Sequence, residues 1–210
     1  MLTLAISTSS GQFALALGVN GELLYRSGKC DMSEDLDAML NLGLASCGKQ
    51  VKDICSIMVD IGPGGTSRVR TGVAFANSLS YTLSVPIYTA SSMELAGIEA
   101  QDRWKIPVVT TVRSIKGNAY IGLYDNKLVC LEFGLIQDIV PQIVQHLDAF
   151  VVVGYHRSII KSLFLEEKKI VDSEMNFGDV KFLIQKETIF KQKEGLLFPN
   201  FAKPIVETVL

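Results

Sequence analysis

Between Thr71 and Met93 the chain carries no Asp, Glu, Lys or Arg. A surface helix of a globular protein shows a charged face, so a helix drawn from this stretch has to be covered on more than one side. Just ahead of it stands Ile61-Gly62-Pro63-Gly64-Gly65-Thr66-Ser67-Arg68-Val69-Arg70, which reads as a strand end, a tight turn and a helix start. The glycines let a backbone or a phosphate come close because no Cβ intervenes. Thr66 and Ser67 are expected to cap the helix. Two accounts of the uncharged helix stay open at this point: the central helix of a two-layer domain, or a helix lying partly in a subunit interface.

The rest of the chain alternates strands with helices. Residues 2–8 read as a buried strand and 7–11 as a turn into a second strand, 12–19. Asn20-Gly21 is a two-residue hairpin signal, so 22–27 pairs antiparallel with that strand. Residues 33–48 follow as a helix, with Leu36, Met39, Leu40, Leu44 and Cys47 at helical spacing and Glu34 and Asp35 where the helix dipole favours acids. A second apolar line, Ala38, Leu42 and Ala45, gives this helix more apolar surface than one sheet face needs. Residues 54–61 read as a strand buried on both faces, 85–88 as another, and Ser91 with Glu94 as a capping box. After a polar stretch at 101–105 the order restarts, with strands at 106–112, 118–124 and 128–133. A helix at 138–147, with Pro141 in its first turn, and a strand at 149–153 come next; 156–194 reads as mixed short elements. The repeated order predicts an α/β chain of two lobes, 1–102 and 103–210, with the last residues able to return to the first.

Composition narrows the function classes. With 210 residues, 48% of them hydrophobic, the chain can build a substantial core. A net charge of -2 supplies no basic field, so nucleic acid is to be met locally or through a partner. No run reaches the ~20 apolar residues of a membrane span, and the opening lacks a basic leader. Cys30, Cys47, Cys55 and Cys130 contain no CxxC pair and suit reduced cytoplasmic thiols, with Cys47 and Cys55 in the core. His146 and His156 fall on different elements and do not suit a metal site; they also leave little choice for a hydrolase triad. Arg68 and Arg70 oppose the local helix dipole, which fits an acidic partner group or an RNA phosphate, with plain solvation the simpler account. Residues 166–169 balance acids with bases and read as a solvated face.

Several segments together carry a family resemblance: Ile6-Ser7-Thr8-Ser9, the Gly62-Pro63-Gly64 turn with the helix start that follows, Ser84-Val85-Pro86-Ile87, and Ser91-Ser92-Met93-Glu94-Leu95-Ala96. They resemble the TsaB (YeaZ) family of the actin-like, Hsp70-like and sugar-kinase-like superfamily. The second half is similar more weakly, through Lys116-Gly117-Asn118-Ala119-Tyr120 and Val151-Val152-Val153-Gly154. The resemblance implies two ribonuclease H-like lobes, each with a mixed sheet flanked by helices. It also implies a non-catalytic scaffold subunit that binds TsaD and, with TsaE, serves threonylcarbamoyl transfer to adenosine 37 of tRNA.

On that model the chain is cytoplasmic, meets tRNA only through the complex and pairs with itself in isolation. It holds no cofactor, metal or catalytic residue of its own, ATP, Mg²⁺ and metal being expected on the partners. The implied partner interface is Leu36, Met39, Leu40 and Gly43 with Val69, Arg70, Val73, Asn77 and Tyr81, which favours the interface account of the uncharged helix. The family's first-strand aspartate is Ser7 here, its Phe after the turn Thr66, the next glycine Arg68, the acid of the later strand Asn118, and an acid upstream of it Arg113. Mg²⁺ wants a carboxylate that Ser7 cannot supply. Thr8, Ser9, Gly62, Gly64, Gly65 and Thr66 stay as candidate anion or nucleotide loops, whose simpler role is to close the fold. The rival readings are a stand-alone small-molecule kinase of the superfamily and a homodimeric interaction protein without a catalytic partner.

Overall fold

The computed structural model describes residues 1–10, 12–28, 36–164 and 168–200. In chain order the elements are β1 (Leu2–Ser7), β2 (Ala14–Val19), β3 (Glu22–Arg26), α1 (Leu36–Ser46), β4 (Ile54–Asp60), α2 (Thr66–Leu83), β5 (Ile87–Ala90) and α3 (Ser92–Trp104). Then come β6 (Val108–Arg113), β7 (Ala119–Tyr124), β8 (Leu128–Gly134), α4 (Ile136–Ile143), β9 (Ala149–Gly154), α5 (Arg157–Phe164), β10 (Lys169–Asp172), α6 (Lys181–Gln185) and β11 (Lys191–Lys193). They form two compact units: Met1–Leu95 with Asp179–Pro199, and Ala96–Gly178. The division falls inside α3, ahead of residue 102, and α6 and β11 belong to the first unit. Glu34, Asp35, Cys30 and the acids at 166–167 lie outside the described residues.

Both sheets follow one plan. In the first unit the order is β11-β5-β4-β1-β2-β3, in the second β10-β9-β6-β7-β8. Each is an antiparallel meander whose first strand takes a parallel neighbour on its other side: β4 beside β1, β9 beside β6. The Asn20-Gly21 turn has both residues at positive φ, 51° and 81°, the twist a tight hairpin requires. Beyond it β3 alternates exposed and half-buried residues, as an edge strand with one face on the core does.

In the first unit the faces can be assigned from register. Leu4 pairs with Leu17 and Ile57, and α1 lies over that face, since a Cβ on Gly43 would meet Leu17 and Tyr25. α2 lies on it too, because a Cβ on Gly72 would sit 2.4 Å from the Thr8 hydroxyl, two positions on from Ile6. The opposite face, that of Thr3, Ser56 and Gly18, is covered by α6, whose Ile184 touches Gly18. In the second unit Val109, Ile121, Val140, Phe150, Ile160 and Phe164 make the core, with Phe150 and Phe164 edge to face at 5.9 Å. Full burial of each such side chain is worth about 2–3 kcal/mol.

Two elements differ from the sequence expectation. The strand placed at 85–88 begins at Ile87, because the Val85 N–H turns back to the Ser80 carbonyl to close α2, whose C-cap, Ser84, is left-handed. The helix placed at 138–147 is Ile136–Ile143, so Pro141 stands in its interior rather than its first turn. Burial of Ile136, Val140 and Val144 draws the helix start back. The carbonyl that the proline leaves without a donor is on exposed Gln137.

Candidate docking face and the turns behind it

At the ends of β1 and β4 a carboxylate stands where the sequence pointed to none. Asp60 is fully buried. Its Oδ2 accepts from the Ser7 hydroxyl at 2.8 Å and from the Ser9 hydroxyl, and its Oδ1 accepts from the Gly62 N–H at 2.9 Å. Burial pushes this carboxyl above its ordinary 3.8, against the opposing pull of those three donors. One side chain therefore ties the turn after β1 to the glycine turn after β4. The same glycine turn is tied to α3: Gly62 and Pro63, joined by a cis peptide, accept from the Ser92 N–H at 2.9 Å and the Ser92 hydroxyl at 2.6 Å. The capping box is formed as expected, with Ser91 N–H to Glu94 at 2.7 Å and Glu94 N–H to Ser91 at 3.0 Å.

The candidate anion loops are brought together, and the hydroxyls of Thr8 and Ser9 bond within the fold. Thr8, 1% exposed, donates to the Arg68 carbonyl at 2.8 Å, and Ser9 donates to Asp60. Gly64 passes so close to Ser9 that a Cβ would lie 2.6 Å from its carbonyl oxygen. Gly65, not Thr66 or Ser67, is the N-cap of α2, and no side chain caps it; Thr66 is the first helical residue. Gly65 and Thr66 are exposed at the tip, Gly62 and Pro63 buried beneath. Arg68 is half-buried and Arg70 exposed.

The implied interface residues separate into two sets. Leu36, Met39, Leu40, Gly43, Val69 and Val73 are buried within their own unit. Arg70 and Tyr81 are exposed and Asn77 half-buried, its amide holding the backbone of Leu197 through bonds of 3.0 and 3.1 Å. The apolar or uncharged residues facing outward include Ala38, Leu42 and Ala45 on α1, and Ala74, Ser78 and Tyr81 on α2, with Leu42 65% and Tyr81 87% exposed. The implied set draws largely on the lines Leu36 to Gly43 and Val69 to Val73, which face each helix's own sheet. A charge at Val73 is accordingly a folding lesion: Val73→Glu is expected to lower stability by at least ~3 kcal/mol, whereas Leu42→Glu stays within about 0.5 kcal/mol of the parent in urea unfolding.

The second unit brings together less of what the sequence singled out. Lys116 and Gly117, both at positive φ, form the tip of the β6–β7 hairpin, and Asn118 closes it with its N–H on the Ile115 carbonyl at 3.1 Å. His146 is exposed; His156 is half-buried, and its imidazole is held below the ordinary 6.5 by burial and then by the charge of Arg113. Among the described residues no group of three His, Cys, Asp or Glu is placed to hold a metal, and no helix is long and apolar enough to cross a membrane. Cys47, Cys55 and Cys130 are free thiols; Cys47 and Cys55 are half-buried rather than in the core expected for them.

With this geometry in view, known proteins can be compared. The family model described as TsaD: tRNA N6-adenosine threonylcarbamoyltransferase matches residues 30–209. The tRNA threonylcarbamoyladenosine biosynthesis protein TsaB of Bacillus subtilis is 31% identical over 147 residues, 67% of this chain and 60% of that protein's length. The chain belongs to the family of that tRNA N6-adenosine threonylcarbamoyltransferase model. Two solved structures share the fold. One, described as an uncharacterized protein with similarity to peptidase YEAZ from Pseudomonas aeruginosa, has a TM-score of 0.79 at 16% identity, covering 96% of this chain and 99% of its own. YeaZ from Pseudomonas aeruginosa has a TM-score of 0.73 at 17% identity, covering 90% and 92%. Asp60, which sequence reasoning passed over, sits one strand away from the family's first-strand aspartate position at Ser7. An acid closing an apolar strand next to a strand-one serine is the signal that points to it.

Proposed function

We propose that the chain is a non-catalytic TsaB-type subunit in threonylcarbamoyladenosine synthesis on tRNA. The outward faces of α1 and α2 dock a TsaD-type catalytic subunit, and a TsaE-type ATPase joins that assembly. ATP, Mg²⁺ and the metal belong to those partners, the tRNA is met through the complex, and the work is cytoplasmic. The observation that carries this reading is the pair of helices with a buried apolar line toward the sheet and a second, uncharged line toward solvent that includes Leu42 and Tyr81. An uncharged face of this kind suits a protein surface better than water. The rival kinase reading is weakened by Ser7 and by Thr8 and Ser9, whose hydroxyls bond to the fold instead of facing a phosphate.

The test is size exclusion and calorimetry of the chain with the TsaD-type subunit of its own organism. A stoichiometric complex is expected, weakened at least tenfold, about 1.4 kcal/mol, by Leu42→Glu or Tyr81→Glu with urea unfolding unchanged. The same two variants, run alone, report whether self-pairing uses those faces. No complex with the parent chain, or full affinity in both variants, rules the docking face out.

A further inference from the structure

We propose that the α6 face of the first unit holds a binding site for a small cationic ligand with an apolar body. The site is a cavity of about 290 Å³ toward the start of β1, β4 and β5, walled by Thr3, Ser56, Met58 and Tyr88 from the sheet and by Glu187 and Phe190 from the returning segment. It lies on the sheet face opposite α1 and α2, so it is separate from the docking face. It is also separate from Asp60, which stands at the far end of β4.

Three observations set its chemistry. First, β1 places a threonine, 2% exposed, where its other early residues are apolar. The Thr3 hydroxyl lies 2.9 Å from that of Ser56 and donates to Glu187 Oε2 at 3.2 Å. Buried hydroxyls of this kind cost stability unless paired, and the partner that completes the set is a carboxylate brought in from the other end of the chain. Second, among the described residues lining the cavity Glu187 carries the only charged side chain, and the one other charge there, the Met1 α-ammonium, donates to the Asn20 side-chain oxygen at 3.3 Å. A single carboxylate in a half-apolar wall favours an ammonium or similar cation, which gains a charge-assisted hydrogen bond there. Third, Tyr88, Phe190 and Met58 offer rings and a thioether for the rest of the ligand, and a ring face also attracts the cation itself. A cavity of about 150 Å³ holds one benzene, so the volume here suits a ring or short branched chain plus a two-carbon arm ending in the amine.

The probe is 2-phenylethylamine, titrated at neutral pH into the isotope-labelled full chain and followed by amide shifts, with phenylacetate and 2-phenylethanol as its anionic and neutral counterparts. Saturable shifts at Thr3, Ser56 and Tyr88 are expected for the amine, with a dissociation constant in the millimolar range or tighter. The alcohol should bind more weakly and phenylacetate should not saturate. Glu187→Gln, which keeps the shape and removes the charge, should weaken the amine at least tenfold while leaving thermal unfolding unchanged. The proposal falls if the amine fails to saturate on the parent chain, if phenylacetate binds as well, or if a folded Gln variant keeps full affinity. Because the parent chain with three probes decides the matter, a variant that fails to fold leaves the result intact.

Discussion

Replacing Asp60 with alanine is expected to destabilise the first unit by about 3 kcal/mol. The carboxylate serves three donors, the hydroxyls of Ser7 and Ser9 and the Gly62 N–H, in a place where water does not reach. Deleting it strands those donors, and each buried donor left unpaired costs about 1–3 kcal/mol before relaxation. The loss should be local as well as global. The turn after β1 fastens the start of α2, through the Thr8 bond to the Arg68 carbonyl and the close fit of Gly72 on Thr8, so amides of the first turns of α2 should exchange fastest. Asp60→Asn keeps the volume and one acceptor and should lose roughly half as much.

The pair of variants also fixes a pH signature. Burial raises the Asp60 carboxyl above 3.8, so between 3.8 and the raised value the folded chain binds a proton that the unfolded chain has released. Stability from this group is then fully present below 3.8 and is lost as pH rises through the folded value. The stability difference between parent and Asp60→Asn should therefore shrink as pH rises from 3.8 in chemical denaturation. A difference that grows with pH over that window would show the three hydrogen bonds outweighing burial.

Gly154→Ala should be as damaging in the second unit. Gly154 ends β9 at φ +114°, a region that side-chain-bearing residues rarely adopt, at about 1–3 kcal/mol. An added Cβ would also lie 2.1 Å from the Thr111 carbonyl oxygen and 2.3 Å from its hydroxyl. Thr111 cannot step aside cheaply: it sits in β6, between β9 and β7, with its hydroxyl donating to the Val153 carbonyl at 3.2 Å. The glycine's own N–H and carbonyl are committed to Met175 and to Arg157. Adding the overpacking cost of about 1–3 kcal/mol gives a total near 4 kcal/mol. Hydrogen exchange resolves it by unit: β6 and β9 amides should lose protection while β1 and β4 amides keep theirs. A loss below about 1 kcal/mol would mean the strand end shifts freely.

How much of this could be read from residues alone varies with range. The Asn20-Gly21 hairpin, the Ser91–Glu94 cap and the repeated strand order are local, and local chemistry wrote them plainly. Apolar spacing located α1 and the missing charges located α2, while the interface implied by the resemblance mixes inward residues, Leu36 to Gly43 with Val69 and Val73, with the outward Arg70 and Tyr81, because the strongest apolar stripe faces the helix's own sheet. The weaker line through Ala38, Leu42 and Ala45 faces outward, where the proposed partner would meet it. Asp60 stayed hidden because a lone acid ahead of a glycine turn looks like ordinary turn polarity until Ser7 and Ser9 are seen beside it. Glu187 could not be linked to Thr3 at all, since nothing in either neighbourhood announces a pairing across nearly the whole chain.

That long reach has a consequence for synthesis. The chain leaves the first unit at Leu95 and re-enters it at Asp179, so the long middle stretch is synthesised before the first unit is complete. Until Phe182, Leu183 and Ile184 emerge, the sheet face they bury has no cover. A nascent chain halted before residue 179 should therefore hold an open, chaperone-dependent first unit.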